Sequence, residues 1–354
     1  MEQPNQLLRD RLQTGFLGVI AFALLMFLLV QGRFVLICLA IAIIIFSLTS
    51  DAIGAIARQR VPNWLATALA LFLIGSGLLW ASATVVAQVN QVVSTSISYT
   101  EQFQAALPSL LEWLGPEAQQ TVDTFIRNIN LTGWMRTAAG GASNLLSAAV
   151  LIILFVGFMF AERVWFPLKI ESLVNGDAEQ AQRVRKIITS IMRRVNRYLV
   201  VKTLVSVATA LCIYAIFSVA GLPLGGAIAL LTFVFNFLPS VGSIVATAIA
   251  VALAYVLSAD LSLTLIIGVS CTAVQFCIGN VIDPMLLGQT LRLSSFGIIL
   301  SLAFWGSIWG IPGMFLAVPI MVAIMIVCAH IPWLRPIAIM LSREGHPDDG
   351  MTDQ

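Results

Sequence analysis

Phe235-Asn-Phe-Leu-Pro-Ser-Val-Gly242 and Trp305-Gly-Ser-Ile-Trp-Gly-Ile-Pro-Gly313 lie inside apolar segments long enough to cross a bilayer. A third cluster, Gly279-Asn-Val-Ile-Asp-Pro284, closes the helix between them. The run from 221 to 327 is thus interrupted by Gly and Pro rather than by charge. A helix broken at membrane depth exposes backbone groups that lipid cannot satisfy, so it is tolerated only where protein buries it or where it lines a cavity. Solute paths in membrane carriers are built from such interrupted helices. The pattern points to a pathway rather than to a passive anchor.

Composition supports the membrane class. Apolar residues are 59% and charged residues 10% of the 354, against about 45–50% and about 25% in soluble domains. The mean hydropathy is +0.96. Length therefore sets a helix count rather than a count of soluble domains. Cys38, Cys212, Cys271, Cys277 and Cys328 all sit in apolar segments without metal-type spacing, and read as small core residues. No cleavable signal peptide is evident, because the first apolar run leads straight into a second.

Eight spans follow from the apolar runs: 14–30, 34–49, 61–86, 142–160, 199–219, 224–257, 261–281 and 296–327. The first two are split only by Gln31-Gly32-Arg33, and a tight hairpin suits their combined length. The sixth and eighth are too long for one straight helix and break near Pro239 and at 310–313. If the spans alternate, fifteen of the nineteen Lys and Arg residues fall in loops on one side. That bias marks the cytoplasmic face and places both termini there. Arg292, between spans seven and eight, falls on the outer side in this count.

Outside the spans, apolar residues from Val86 to Leu114 recur three or four apart, so span three continues as an amphipathic helix. A second piece follows Pro116, with Val122, Phe125, Ile126 and Ile129 on one face. Packing on each other or on a neighbouring subunit would bury these faces. Asp177 reads as an N-cap with Gln180 at the capping-box position. The helix after it carries Arg183, Arg185, Lys186, Arg193, Arg194 and Arg197 opposite an apolar face, a pattern that lies on an anionic inner leaflet. With the positive-inside bias accounting for this charge, no nucleic-acid role is needed. The expected units are 1–60, a two-span hairpin; 61–160, with an extramembrane insert at 87–141; 161–198, the basic helix; 199–329, a four-span core; and 330–354, a tail.

Enzyme motifs are missing: there is no HExxH, GxSxG or GxxxxGK[ST] pattern. No cofactor or metal site is expected, and without a phosphate loop the chain is not by itself an ATP-driven pump. Asp260 and Asp283 stand at span ends, Asp260 as a cap. Asn280 and Asp283 are three apart, on one helical face, and with Gln275 and Asn236 they form a candidate polar cluster for a solute or a coupling cation. Pro239, Gly242 and Pro284 complete the path candidates. Gly306, Gly310, Pro312, Gly313 and Pro319 are hinge or packing candidates, Gly306 and Gly310 having small-xxx-small spacing.

Four ordered motifs carry a family resemblance: Gly221-Leu-Pro-Leu-Gly225, Asn236-Phe-Leu-Pro-Ser-Val-Gly242, Gly279-Asn-Val-Ile-Asp-Pro-Met-Leu-Leu-Gly288 and Trp309-Gly-Ile-Pro-Gly-Met-Phe-Leu-Ala-Val-Pro319. In these motifs, and in layout over nearly its whole length, the chain resembles the AI-2E transporters, the PerM-like permeases. That resemblance implies an all-α polytopic protein of the bacterial inner membrane. It would have about eight transmembrane helices, broken or re-entrant segments in the C-terminal half, and extramembrane amphipathic helices. It further implies a homo-oligomer in the lipid bilayer that moves a small polar solute, such as an autoinducer-2-like signal. Sodium or lithium/proton antiport is an alternative, as is a non-transporting scaffold acting through 86–131. Relatives often have an acidic residue just before the Gly-Asn pair, where this chain has Ile278. Antiport would then fall to Asp283.

Overall fold

The apolar runs become long helices, but the longest uncharged run, 203–259, is divided among three of them. The computed structural model describes residues 3–57, 63–111, 131–239, 241–287, 293–343 and 345. Twelve α-helices are seen among them: α1 Gln3–Gln31, α2 Arg33–Ala57, α3 Asn63–Leu111, α4 Leu131–Glu162, α5 Phe166–Leu173 and α6 Ala178–Val219. They continue as α7 Gly225–Phe235, α8 Val241–Ser258, α9 Leu261–Cys277, α10 Asp283–Leu287, α11 Ser295–His330 and α12 Arg335–Leu341. A π-helical turn, Ile278–Ile282, joins α9 to α10. Eight of the described helices are long and apolar enough to cross a membrane. The fold is that of an all-α polytopic membrane protein.

α1 and α2 meet at one residue, Gly32. Gly32 N donates to Leu28 O (2.8 Å) and Leu36 N to Gly32 O (3.0 Å). These bonds close the last turn of α1 and open the first turn of α2, with Gly32 as the shared joint. Phe16, Leu17, Phe22, Phe27 and Leu28 of α1 are all more than 60% exposed. α2 instead packs with α3 and α4 through Cys38, Ala42, Ala70, Ile152, Val156 and Phe160. The 49 residues of α3 span about 74 Å at 1.5 Å per residue, far beyond a bilayer. Span three thus continues as helix beyond membrane length, to Leu111. The second amphipathic piece, with Val122, Phe125, Ile126 and Ile129, lies outside the described residues.

Asp177 caps α6 by accepting from Glu179 N (2.9 Å) and Gln180 N (3.1 Å). Gln180 reaches back onto the Asp177 carboxylate (2.9 Å) rather than onto a backbone N–H. The basic surface helix and span five are one continuous 42-residue helix. α6 is the spine of the C-terminal half, contacting α7, α9, α10, α11 and α2.

Span six is a re-entrant hairpin. Gly225 of α7 faces Phe217 and Tyr214 of α6. At the other end of α7, Asn236 Nδ2 donates to Ser206 Oγ (3.1 Å). Eleven residues forward along α7 therefore match eleven back along α6, and the two run antiparallel. The chain breaks over 236–239, and α8 returns alongside. Ala250 and Ala254 of α8 join Ile213, Phe217, Ile228, Ile267 and Cys271 in one core cluster, with Leu222 and Leu263 at its margin. Small residues at 246, 250 and 254 permit that close approach. Gly221, Ser258 and Asp260, which caps α9 by accepting from Ser262 N (2.8 Å), thus share one end of the molecule.

Span eight is a second hairpin, entering from the opposite end. Ser301 Oγ donates to Ala317 O at 2.9 Å, although sixteen residues of straight helix would separate them by about 24 Å. Gly297 meets Met321, Gly306 meets Met314 and Gly313 meets Trp305, so arms 295–309 and 311–330 are antiparallel. The turn is Gly310, with φ 65° and ψ −144°, where an L side chain is strained. Both bases lie beside α12, because Ser294 N donates to Leu341 O (2.9 Å) and Leu293 bridges Ser342. Val195, Tyr198 and Leu199 of α6 pack there with Val318, Met321, Val322 and Met325.

This arrangement corrects the alternating count at two places. The turn after α8 lies at the end that carries Gly221, while Asp283, beside Lys202, and Leu293, beside Ser342, both lie toward the basic end. A Pro or Gly in the sequence marks a break, but the angle of the break is set by how closely the arms can pack.

Candidate functional site

Four polar side chains line one face of α6: Tyr198, Lys202, Ser206 and Thr209, at spacings of four, four and three. They are 3%, 5%, 0% and 0% exposed. Helical geometry puts these positions in a single stripe. The stripe faces the break of the first hairpin at Ser206 and the π-turn at Lys202.

Lys202 Nζ donates to Asp283 Oδ2 at 2.7 Å, with side-chain exposures of 6% and 17%. The π-turn makes this pair possible. Buried positions of α9 advance by three or four through Thr264, Ile267, Cys271 and Gln275 to Ile278. An α-helix would place residue 282 inward next, yet Ile282 is 42% exposed and Asp283 takes the inward position. The wider π-turn inserts one residue and shifts the register, a device frequent at functional sites. Asp283 Oδ1 is buried and has no hydrogen-bond partner.

The same shift separates two expected neighbours. Asn280 and Asp283 would share a face on an α-helix, but here Asn280 is exposed and donates only to Phe276 O (3.2 Å). Pro284 does not end the helix. It sits at the start of α10, where its missing N–H is tolerated.

At the first hairpin tip, Asn236 is buried against Ser206, and Phe237 is 2% exposed. Pro239 belongs to the break, which Val241 N closes by donating to Pro239 O (2.7 Å). A Cβ on Gly242 would sit 1.7 Å from Phe235 O. The second hairpin repeats the requirement, since a Cβ on Gly313 would sit 2.0 Å from Trp305 O. The hairpins touch through Phe237 and Phe315, whose ring centroids are 4.2 Å apart. At the far tip, Trp309 Nε1 donates to Leu29 O (3.0 Å), tying the second hairpin to the end of α1. Pro312 opens the returning arm, and Pro319 is buried further along it.

The structure therefore gathers Asn236 and Asp283 along α6, with Gln275 buried one turn before the π-turn, and leaves Asn280 outside. Sequence reasoning missed Lys202, Ser206, Thr209 and Tyr198. Lys202 lies within the fifth apolar run, just after the basic residues of the same helix. Its four-residue spacing from Tyr198 and Ser206 was the available signal. No group of His, Cys, Asp or Glu able to hold a metal ion occurs among the described residues.

Comparison with known proteins gives the family. The sequence pattern of the AI-2E family transporters matches residues 17–333. The chain is 26% identical over 337 residues to the "AI-2 transport protein TqsA" of Escherichia coli K12, covering 93% of this chain and 96% of that one. It is 26% identical over 309 residues to a "Putative transport protein" of Borreliella burgdorferi, covering 86% and 83%. A "Putative transport protein" of Haemophilus influenzae is 24% identical over 307 residues, covering 85% and 88%. With eight membrane-length helices and a match over most of its length, the chain belongs to the AI-2E transporter family.

Proposed function

We propose that this protein is an inner-membrane permease that carries a small polar solute of the autoinducer-2 type along the α6 stripe. The observation behind the reading is the meeting of two oppositely inserted hairpins, at Phe237 and Phe315, beside a buried polar face. Each hairpin enters from its own end of the molecule, so each can close the stripe toward one side of the membrane. Loops that stop part-way are compatible with lipid only where protein or a cavity covers their backbone. The basic end, with Arg183–Arg197 and α12, is the cytoplasmic one by the charge rule. The name of the Escherichia coli relative supports AI-2 as the first solute to try. The unpartnered apolar sides of α1 suit a homo-oligomer.

The Lys202–Asp283 pair weighs against sodium or lithium/proton antiport. Asp283, the acid beside the path among the described residues, already has a cation, so it is poorly placed to exchange others. The scaffold alternative places function in α3 beyond the bilayer and gives the hairpins no role. Uptake of AI-2 by proteoliposomes of the purified protein tests the proposal. Uptake above protein-free vesicles, reduced by Asn236→Ala at equal protein content, is expected. Uptake no greater than that of empty vesicles would remove it.

A further inference from the structure

Among the described residues, Lys202 is the charged side chain in the buried set, and its partner is Asp283. The polar groups near them, Tyr198, Ser206, Thr209, Asn236 and Gln275, carry no formal charge. The pair is only half satisfied internally. Asp283 Oδ2 accepts from Lys202 while Oδ1 is buried without a partner, and Lys202 Nζ, with three N–H donors, makes one hydrogen bond. An oxygen able to accept and an ammonium able to donate thus stand side by side. They are held there by a one-residue register shift that turns apolar Ile282 outward and brings Asp283 inward.

We propose that Lys202 and Asp283 act together as a charge filter on the solute path, admitting uncharged solutes that carry adjacent hydroxyl groups. This rests on the permease reading and names its substrate class. A neutral diol donates one hydroxyl to Asp283 Oδ1 and accepts from Lys202 Nζ with a second, while the ion pair stays closed. A cation has to displace Lys202 from Asp283, and an anion has to displace Asp283 from Lys202. Either exchange leaves one shielded charge without its partner, the arrangement that makes breaking a buried pair strongly unfavourable. The discrimination expected is about a hundred-fold. Removing one member inverts the preference: a lone Lys202 attracts anions and a lone Asp283 attracts cations.

Three matched four-carbon probes test this in proteoliposomes: erythritol, erythronate and 1-amino-1-deoxyerythritol. The wild type is expected to take up erythritol about a hundred-fold faster than either charged probe. Asp283→Asn should favour erythronate over the amine by at least about ten-fold, Lys202→Met should favour the amine by a similar factor, and the double variant K202M/D283N should discriminate little. The exchanged pair K202D/D283K keeps both charges and should keep the neutral preference, so a filter can be read even if the single variants fail to fold. Unchanged probe ratios in the variants, or a wild type indifferent to charge, overturns the filter while leaving the permease reading intact. Erythritol refused by a wild type that carries AI-2 overturns the solute class. A wild type that carries neither AI-2 nor any probe defeats the underlying reading, and the filter with it.

Discussion

The two re-entrant hairpins solve one backbone problem with different chemistry. The first spreads its turn over 236–239 and places an amide, Asn236, at the tip. The second turns at a single residue, Gly310, and packs its tip with Trp305 and Trp309, ring centroids 4.6 Å apart. Both need a glycine where the returning arm crosses the outgoing one, Gly242 and Gly313. The polar tip meets the Ser206 stripe, whereas the aromatic tip meets α1. The first hairpin thus ends in a polar tip and the second in an aromatic one, with Phe237 against Phe315 as the shared surface; under the permease proposal the first contacts the solute and the second seals.

The largest effect should come from the crossing glycines. Gly242→Ala and Gly313→Ala each force a Cβ into a backbone carbonyl that cannot rotate away, for a cost of about 3 kcal/mol or more. Thermal unfolding of the purified variants measures this, and Gly242→Ala should be the worse, its clash being 1.7 Å against 2.0 Å. Equal tolerance of alanine at both sites would break the claim that the arms touch there. Next comes the ion pair beside the first hairpin. Lys202→Met should destabilise by about 3–5 kcal/mol, while K202M/D283L, which leaves no unpaired charge, should recover most of that loss. A double variant as unstable as the single one would mean that the two residues do not face each other.

Asn236→Ala separates the polar tip from the aromatic one. It leaves the buried Ser206 hydroxyl without its partner, for about 1–3 kcal/mol, and it should lower AI-2 uptake more than it lowers protein yield. The smallest effect belongs to Asn280→Ala. Its amide is exposed and bonded within its own turn, so stability should stay within about 0.5 kcal/mol and uptake should be unchanged. A strong loss of uptake would put Asn280 back on the path.

Much of this layout could be read from the chain. The caps at Asp177 and Asp260, the over-long third helix and the breaks near Pro239 and Gly310 all follow from local rules of helix start, length and interruption. Direction reversal did not follow. A kinked helix and a hairpin share the same Pro and Gly, and only the approach of Gly313 to Trp305 O and of Gly242 to Phe235 O tells them apart. The polar site was half legible. Asn236, Gln275 and Asp283 stood out as amides and an acid in apolar sequence. Lys202 hid among the basic residues before it, and its partner lies 81 positions away. The π-turn was invisible, because the α-helical period that paired Asn280 with Asp283 fails there by one residue.

The central claim is that the hairpins enter from opposite sides, and labelling of single cysteines in a cysteine-free background tests it most directly. Pro223→Cys and Ala259→Cys flank the first hairpin, and Phe296→Cys and Trp333→Cys flank the second. A membrane-impermeant maleimide applied to intact cells and to inverted vesicles reads the side of each. The expected result is that the 223 and 259 positions label together from one face, and the 296 and 333 positions together from the other. Labelling of 223 and 259 from opposite faces, or of 296 and 333 from opposite faces, would mean that those segments cross the membrane, and would contradict the account.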